Sequence, residues 1–332
     1  MPFEIVPHGT HIDFIGKRRL CAALSVALIV ASLIAIPIRG FRLGIDFAGG
    51  NEVQVRFEDG VAVDEGRIRQ VLGDSLALDN LSVVRFGTVS EKEFLIRFKG
   101  DDESVLDAPA GVDVVGAVAE GEGEGEGDVV GADRIEALES ALQSEIGGMT
   151  VMRVEFVGPR VGKELRSDGL MSLFWASLAI LAYVAFRFSS RFAPGAVVAV
   201  IHDLIITGGI FVILGLEFDL RILAAMLAIM GYSLNDTIII FDRIRENMEL
   251  HTKYDLPEVL NQSVNQTLSR TVLTSGTTLT ALLALYFLGG DVIRPFAFAM
   301  LIGVVVGTYS SVYIASPLLL LLESSGSAGA KR

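Results

Sequence analysis

Residues 220–241 read LRILAAMLAIMGYSLNDTIIIF, a run in which Arg221 and Asp236 are the charged positions. About 20 apolar residues in a helix cross the hydrocarbon core of a bilayer. Backbone in lipid has no water to bind, so it must satisfy its own hydrogen bonds, and a helix does this. The run therefore predicts a transmembrane helix with one carboxyl, Asp236, well inside it.

The same pattern recurs along the chain, in which hydrophobic residues make up 51% and charged residues 20%. A water-soluble enzyme of this length is normally less apolar. Six transmembrane helices are predicted, at 20–38, 169–187, 192–216, 220–241, 271–289 and 295–322. We interpret the first as a retained anchor, because its apolar run is longer than a signal-peptide core and residues 36–39 lack a small-residue cleavage pattern.

Basic residues are distributed unevenly between the short segments that join the spans. One side collects Lys17, Arg18 and Arg19, then further Lys and Arg around 187–191, 243–270 and 331–332, whereas the other side has Arg221 and Arg294 in its short loops. Cytoplasmic loops carry the excess of Lys and Arg. Both termini (1–19 and 323–332) and the loop 242–270 are therefore predicted to be cytoplasmic, and residues 39–168 to be extracytoplasmic.

The predicted external segment carries the acidity of the chain. Residues 41–165 hold 26 acidic and 12 basic residues, while the whole chain has a net charge of −13. Strand-like alternation at 51–57, 81–86, 93–98 and 149–157, with helical spacing at 61–73 and 133–146, gives the βαββαβ order of a ferredoxin-like α+β domain. The acidic, glycine-rich insertion at about 101–131 is predicted to be a disordered loop, and a calcium site there is disfavoured because alternating glycines fix no ligand geometry.

Several classes of function are excluded by the sequence. The chain has no basic stripe for nucleic acid, and its single cysteine, Cys21, precludes an internal disulfide or a cysteine-rich metal site. No phosphate-binding loop, zinc-protease or nucleophile-elbow motif is present, and the four histidines have no metal-ligand spacing. We predict no enzyme activity, no cofactor and no metal.

Ionisable residues inside apolar spans are costly and therefore indicate function. Asp236, with Ser233 one turn away and Asn235 adjacent, predicts a buried polar track in which a carboxyl can bind and release a proton. Arg270 opens the fifth span ahead of Thr274 and other polar residues, although it could equally be an anchor that reaches the headgroups. The pair His202 and Asp203 could join this track, but a structural role in holding two helices together is the more favoured interpretation.

Two glycine-containing motifs have structural interpretations. Gly303 and Gly307 in the sixth span form a small-xxx-small surface, which predicts close helix packing. Residues 44–50, GIDFAGG, follow a membrane exit rather than a strand, which disfavours a phosphate loop and favours a tight turn.

Four segments together resemble the SecD/SecF family of bacterial protein-export membrane proteins, and within it the smaller, SecF-type subunit. They are GIDFAGG at 44–50, VGPRVGKEL at 157–165, GYSLNDTIIIFDRIREN at 231–247 and NQTLSRTVLTS at 265–275. The resemblance covers about residues 12–322. It departs from the family pattern at the acidic insertion.

The resemblance implies a fold of the resistance-nodulation-division (RND) superfamily, in which six spans form half of a transporter. It also implies location in the bacterial inner membrane, SecD, the SecYEG translocon and YajC as partners, and a translocating preprotein as substrate. Protons would be the coupling ion for late steps of export. The essential acid and arginine of the family fall on Asp236 and Arg270.

Two other functions remain open from the sequence. One is half of a proton-driven RND exporter of small molecules or lipids, although such exporters generally carry two sets of spans and two external domains in one chain. The other is a structural subunit that docks onto a partner and conducts nothing.

Overall fold

The computed structural model describes residues 11–76, 81–86, 91–98, 113–114, 130–187, 192–250 and 255–329. The chain divides into a helical unit, formed by the described parts of 1–42 and 170–332, and an α/β unit, Leu43–Gly169. Six helices among the described residues are long and apolar enough to cross a membrane. The predicted fold class, six transmembrane helices with a ferredoxin-like α+β domain, is confirmed.

The helical unit is built from long helices. These are α1 (Arg18–Arg39), α5 (Pro159–Arg187), which begins in the α/β unit, α6 (Ala193–Leu214), α7 (Leu220–Leu250), α8 (Leu256–Leu288) and α9 (Gly290–Ser310). A π-helical turn, Ser311–Ala315, continues α9 into α10 (Ser316–Gly329), and a two-residue strand, β7 (Glu217–Phe218), follows α6. The spans within α6, α7 and α9–α10 are 56%, 50% and 50% buried, against 11%, 11% and 17% for α1, α5 and α8. The first three helices therefore form the centre of the bundle.

Two apolar clusters fill this centre. One surrounds Phe192 and Phe241, and the other surrounds Phe211, Ile222 and Val304. Between them lies a belt of buried polar residues contributed by all three central helices, with Asp203 on α6, Asp236 on α7 and Ser310 on α9. Buried polar groups are stable only where they are hydrogen-bonded, so the contacts of this belt determine what it can do.

The segment 242–270, predicted to be a loop, is mostly helical. Helix α7 continues to Leu250 and α8 begins at Leu256. Asn247 on α7 donates hydrogen bonds to Ser263 Oγ (2.8 Å) and Gln266 Oε1 (2.9 Å) on α8. These contacts stabilise the two helices beyond the apolar run, and charged residues on the outer faces are compatible with a helix in water.

The α/β unit begins at Leu43, the second residue of β1 (Arg42–Leu43). It continues with α2 (Ile45–Ala48), β2 (Gly50–Phe57), α3 (Glu65–Leu76), β3 (Ser82–Phe86) and β4 (Glu93–Phe98). It ends with β5 (Asp113–Val114), α4 (Val130–Glu145) and β6 (Met149–Val157). The sheet order is β3-β4-β2-β6-β5, in which β3 and β4, β4 and β2, and β2 and β6 pair antiparallel. Leaving out β5, this is the ferredoxin-like arrangement that the sequence predicts.

The core of the α/β unit lies between one face of the sheet and the helices α3 and α4. Alternate residues of β2 and β4, such as Val53, Val55, Phe94 and Ile96, are fully buried against Leu138 of α4. Helix α3 starts at Glu65 rather than at the predicted residue 61, because the Asp64 carboxylate accepts a hydrogen bond from the Arg67 amide (2.7 Å) and caps the helix there.

The acidic insertion lies mainly outside the described residues, at 101–112 and 115–129. Within it, Asp113 and Val114 form β5, which pairs in parallel with Arg153 and Val154 of β6. The prediction of a loop without regular structure is wrong at these two residues. Their backbone covers part of a sheet edge that would otherwise present unpaired amide and carbonyl groups.

Candidate functional site

Asp236 lies in the centre of the helical unit and is 1% exposed. Its Oδ2 atom is 3.4 Å from Ser275 Oγ on α8 and 3.4 Å from Thr308 Oγ1 on α9. Its Oδ1 atom has no hydrogen-bond partner among the described residues. Both contacts are near the upper distance limit for a hydrogen bond, so the protein supplies the carboxyl with only weak hydrogen bonds.

Counting protons around Asp236 shows which form of the carboxyl fits. Ser275 Oγ and Thr308 Oγ1 are also 2.8 Å from each other, so three oxygen–oxygen contacts join these three side chains. The two hydroxyls supply two protons. All three contacts can be hydrogen bonds at once only if the carboxyl of Asp236 supplies the third, which is its neutral, protonated form.

Arg270 lies on α8, five residues before Ser275, and is exposed. Five residues of helix correspond to about 7.5 Å along the axis. Its positive charge attracts the Asp236 carboxylate electrostatically, but within the described part of the chain Arg270 forms no ion pair. The two predicted relay residues therefore lie in neighbouring helices and interact at a distance.

Asp203 has much better hydrogen-bond partners than Asp236. It is also 1% exposed, and its carboxylate accepts hydrogen bonds from Ser233 Oγ on α7 (2.5 Å) and Ser310 Oγ on α9 (2.8 Å). His202 Nδ1 lies 2.8 Å from its Oδ1 atom. Asp203 thus joins three helices. One of them, α7, carries both Ser233 and Asp236.

The other predicted members of the polar track are placed outside it. Asn235 is exposed and lies about 100° around α7 from the buried carboxyl. The Thr274 hydroxyl donates to the carbonyls of Arg270 (3.0 Å) and Thr271 (3.1 Å) on its own helix. Neither side chain contacts Asp236.

Gly303 and Gly307 lie where α9 crosses α7. A Cβ atom at Gly303 would overlap the side chain of Ile229, and one at Gly307 would lie 3.0 Å from Ser233 Cβ. The two helices approach this closely because the glycines have no side chain. This approach brings Thr308 and Ser310 within reach of the two carboxylates.

Sequence reasoning missed Thr308, which contacts Asp236. The neighbouring Tyr309, Ser310 and Ser311 form other hydrogen bonds and none to Asp236 within the described part of the chain, and Ser25 on α1 contacts His202 Nε2 at 3.1 Å. The sequence could have indicated these residues, because 308–311 are four consecutive residues with hydroxyl groups inside an otherwise apolar span.

Comparison with known proteins identifies the family. Residues 137–325 match the family described as protein export membrane protein SecD/SecF, C-terminal, and residues 34–61 match the SecD/SecF GG motif. The chain belongs to the SecD/SecF family. It is 39% identical over 329 residues to protein translocase subunit SecF of Calditerrivibrio nitroreducens, with 97% of each chain covered. It is 42% identical over 320 residues to the SecF subunit of Magnetococcus marinus, covering 96% of this chain and 94% of that one.

Solved structures of the SecD/SecF family share the fold. The crystal structure of SecDF, a translocon-associated membrane protein from Thermus thermophilus, superposes with a TM-score of 0.80 at 35% identity. A structure of SecDF in a super-membrane-facing form gives a TM-score of 0.68, also at 35% identity. These matches cover 97% and 99% of this chain, which spans 40% and 41% of those longer chains. The RND-type half-transporter fold is thereby confirmed, and the chain is a multi-pass component of protein-export machinery.

Proposed function

We propose that this chain is the SecF subunit of a proton-driven complex that assists late steps of preprotein translocation across the bacterial inner membrane. The observation that carries the proposal is the Asp236 carboxyl. It is buried between α7, α8 and α9, and its Oδ1 atom has no partner within the described part of the chain. The three contacts among its Oδ2 atom, Ser275 and Thr308 can all be hydrogen bonds when the carboxyl is protonated. No nucleotide or cofactor is required, because the coupling ion is the proton.

The mechanism follows from the cost of charge in a membrane interior. An ionised carboxyl there loses its hydration and is stabilised by any nearby positive charge, whereas a neutral carboxyl is not. Loss of the proton from Asp236 strengthens its attraction to Arg270 on α8, and uptake of a proton removes it. Each proton that passes therefore changes the force between α7 and α8. Repeated cycles convert a proton gradient into helix movement.

The partner that completes the complex is a SecD subunit. This chain corresponds to 40% of the SecDF chain from Thermus thermophilus, and the name of that protein joins SecD with SecF. A separate SecD chain would supply the remainder, with the SecYEG translocon and YajC as further partners. The distribution of Lys and Arg supports cytoplasmic termini and an external α/β unit.

Asp236→Asn tests the proposal, because the amide keeps the shape of the carboxyl and cannot exchange a proton. In vesicles that contain the translocon, SecD and this chain, we expect export driven by an imposed proton gradient to fall at least about tenfold, since a positioned proton-transfer group is lost. Asp242→Asn is the matched control: Asp242 is on the same helix, with its side chain 52% exposed. It should export normally.

Normal export by Asp236→Asn would exclude a proton relay at this residue. Arg270→Met is a second test variant, since it removes the positive charge that attracts Asp236. Unchanged export in both variants would indicate a structural subunit that conducts nothing. Copurification of SecD with each variant verifies that the complex has assembled.

A further inference from the structure

Four consecutive residues where α9 meets the π-helical turn, residues 308–311, form hydrogen bonds to four different helices. Thr308 contacts Asp236 on α7 and Ser275 on α8, and Ser310 contacts Asp203 on α6. Tyr309 donates to the Cys21 carbonyl on α1 (2.7 Å). Ser311 lies 2.8 Å from Thr237 Oγ1 on α7. We call these four residues the hub.

Helix geometry explains how one short segment reaches so many neighbours. Successive side chains on a helix point about 100° apart, so four of them cover the full circumference. Because α9 lies in the centre of the bundle, each direction meets another helix. The hub thus contacts both buried carboxylates and the first span at once.

The backbone changes form at the hub. The π-helical turn begins at Ser311, and Ser316 Oγ donates to the Ser311 carbonyl (2.9 Å) across it. A π-helical turn inside a longer helix interrupts the regular hydrogen-bond ladder, and such turns often lie at functional sites. The hub therefore lies where the regular hydrogen-bond ladder of the span is interrupted.

The hydrogen bonds on the α1 side form a directed chain. Starting from Asp203, it runs to His202 Nδ1 (2.8 Å), from Nε2 to Ser25 Oγ (3.1 Å), and from Ser25 to the Tyr309 hydroxyl (3.1 Å). It ends where Tyr309 donates to the Cys21 carbonyl. Because Tyr309 uses its one hydroxyl proton on the Cys21 carbonyl, Ser25 donates to Tyr309 and His202 Nε2 donates to Ser25.

The two buried carboxyl groups differ in their hydrogen-bond partners. Asp203 faces the His202 ring at 2.8 Å and two serine hydroxyls at 2.5 and 2.8 Å. Asp236 has two contacts of 3.4 Å and one oxygen without a partner among the described residues, which suits a group that gains and loses a proton. The hub contacts both, through Ser310 and Thr308. The charged or titratable groups around it are Asp236 on α7, Arg270 on α8, the His202–Asp203 pair on α6 and Cys21 on α1.

We infer that the hub transmits the protonation state of Asp236 to α1, with Tyr309 and Ser25 as the positioning residues that connect it to that span. The inference rests on the proposed function. Helix α1 continues along the chain into the α/β unit, so a shift of α1 is a shift of the segment leading to that unit. Loss of the connection should separate proton passage from export.

Tyr309→Phe tests this inference in vesicles that contain the translocon, SecD and this chain. The variant removes the hydroxyl and keeps the ring, which stacks on His202. We expect gradient-driven export to fall about fivefold or more, as for loss of an allosteric coupling. Proton uptake, followed with a pH-sensitive dye, should stay within about twofold of wild type, because Asp236 is unchanged. Tyr313→Phe is the matched control, since this hydroxyl, one turn further on, has no hydrogen bond within the described part of the chain.

Each other outcome overturns the inference. If Tyr309→Phe matches Tyr313→Phe in both measurements, the hub does not transmit. If export and proton uptake fall together, as expected for Asp236→Asn, Tyr309 belongs to the proton site itself. Ser25→Ala removes the same connection from the α1 side and provides a second reading if Tyr309→Phe assembles poorly with SecD. Failure of the proposed function would be seen separately, as normal export by Asp236→Asn.

Discussion

Asp203 and Asp236 are equally buried, yet their neighbours differ. Three donors surround the first, and two distant hydroxyls approach the second. The sequence predicts that both are unusual, because each interrupts an apolar run. It does not predict which of the two has close hydrogen-bond donors, since the contacting hydroxyls come from other helices, at positions 30 to 107 residues away.

Gly303 provides a prediction at the residue scale. In Gly303→Ala the new methyl overlaps Ile229, so α7 and α9 must move apart. We expect a loss of about 1–3 kcal/mol of stability, as for other overpacked interiors. Thermal unfolding in detergent measures it.

Gly276→Ala is the control for Gly303→Ala. Gly276 lies on the exposed face of α8, and a Cβ atom there would meet nothing within 4 Å. Alanine should stabilise that helix by about 0.5–1 kcal/mol, since glycine is the poorer helix former. Equal effects of the two substitutions would show that close packing at Gly303 contributes nothing.

At the scale of elements, α8 holds a segment from the start of the chain. The Asn265 side chain accepts a hydrogen bond from the Ile12 amide and donates one to the Ile12 carbonyl, each at 2.9 Å. One turn away, Asn261 Oδ1 accepts from the Phe14 amide at 2.8 Å. Phe14 and Ile15 are buried in the core of the bundle. We call residues 12–15 the latch, and it fixes the segment of α8 that precedes Arg270.

Replacing both asparagines by alanine should release the latch. The backbone amides of Ile12 and Phe14 would lose their partners, and we expect a loss of about 2 kcal/mol of stability. Hydrogen exchange at these two amides should become faster. Gln262→Ala is the control, because Gln262 is exposed and makes no hydrogen bond within the described part of the chain. Slow exchange in the double variant would show that apolar contacts alone hold the latch.

At the scale of the whole molecule, the charge distribution predicts how the chain lies in the membrane. Because Cys21 is the single cysteine, a Cys21→Ser background permits labelling at chosen positions. Ala62→Cys lies in the α/β unit, and Glu258→Cys lies at the start of α8; both positions are exposed. We expect a membrane-impermeant maleimide to label the first in right-side-out vesicles and the second in inside-out vesicles.

Detergent should make both introduced cysteines reactive, which verifies that neither is buried. Labelling of both from the same side would contradict the predicted topology and with it the external position of the α/β unit.

The spans, their number and the α/β unit between the first and second of them follow from the order of residues alone. In lipid, the backbone of each apolar run must form its hydrogen bonds within the run, so a run of this kind becomes a helix whatever surrounds it. In the α/β unit, alternation and helical spacing impose the order of elements in the same local way. Asp236 and Arg270 could also be identified from the sequence alone, since a charged residue in or at the edge of an apolar run is visible without a structure.

The order of residues does not determine which polar groups meet, because these contacts depend on how the helices are rotated and how closely they pack. Asn235 and Asp236 are neighbours in sequence, yet one is exposed and the other buried. Thr274 and Ser275 divide in the same way, one bonding to its own helix and the other to Thr308. Rotation by 100° per residue separates such neighbours, and the hub becomes visible only once α9 is placed among its partners.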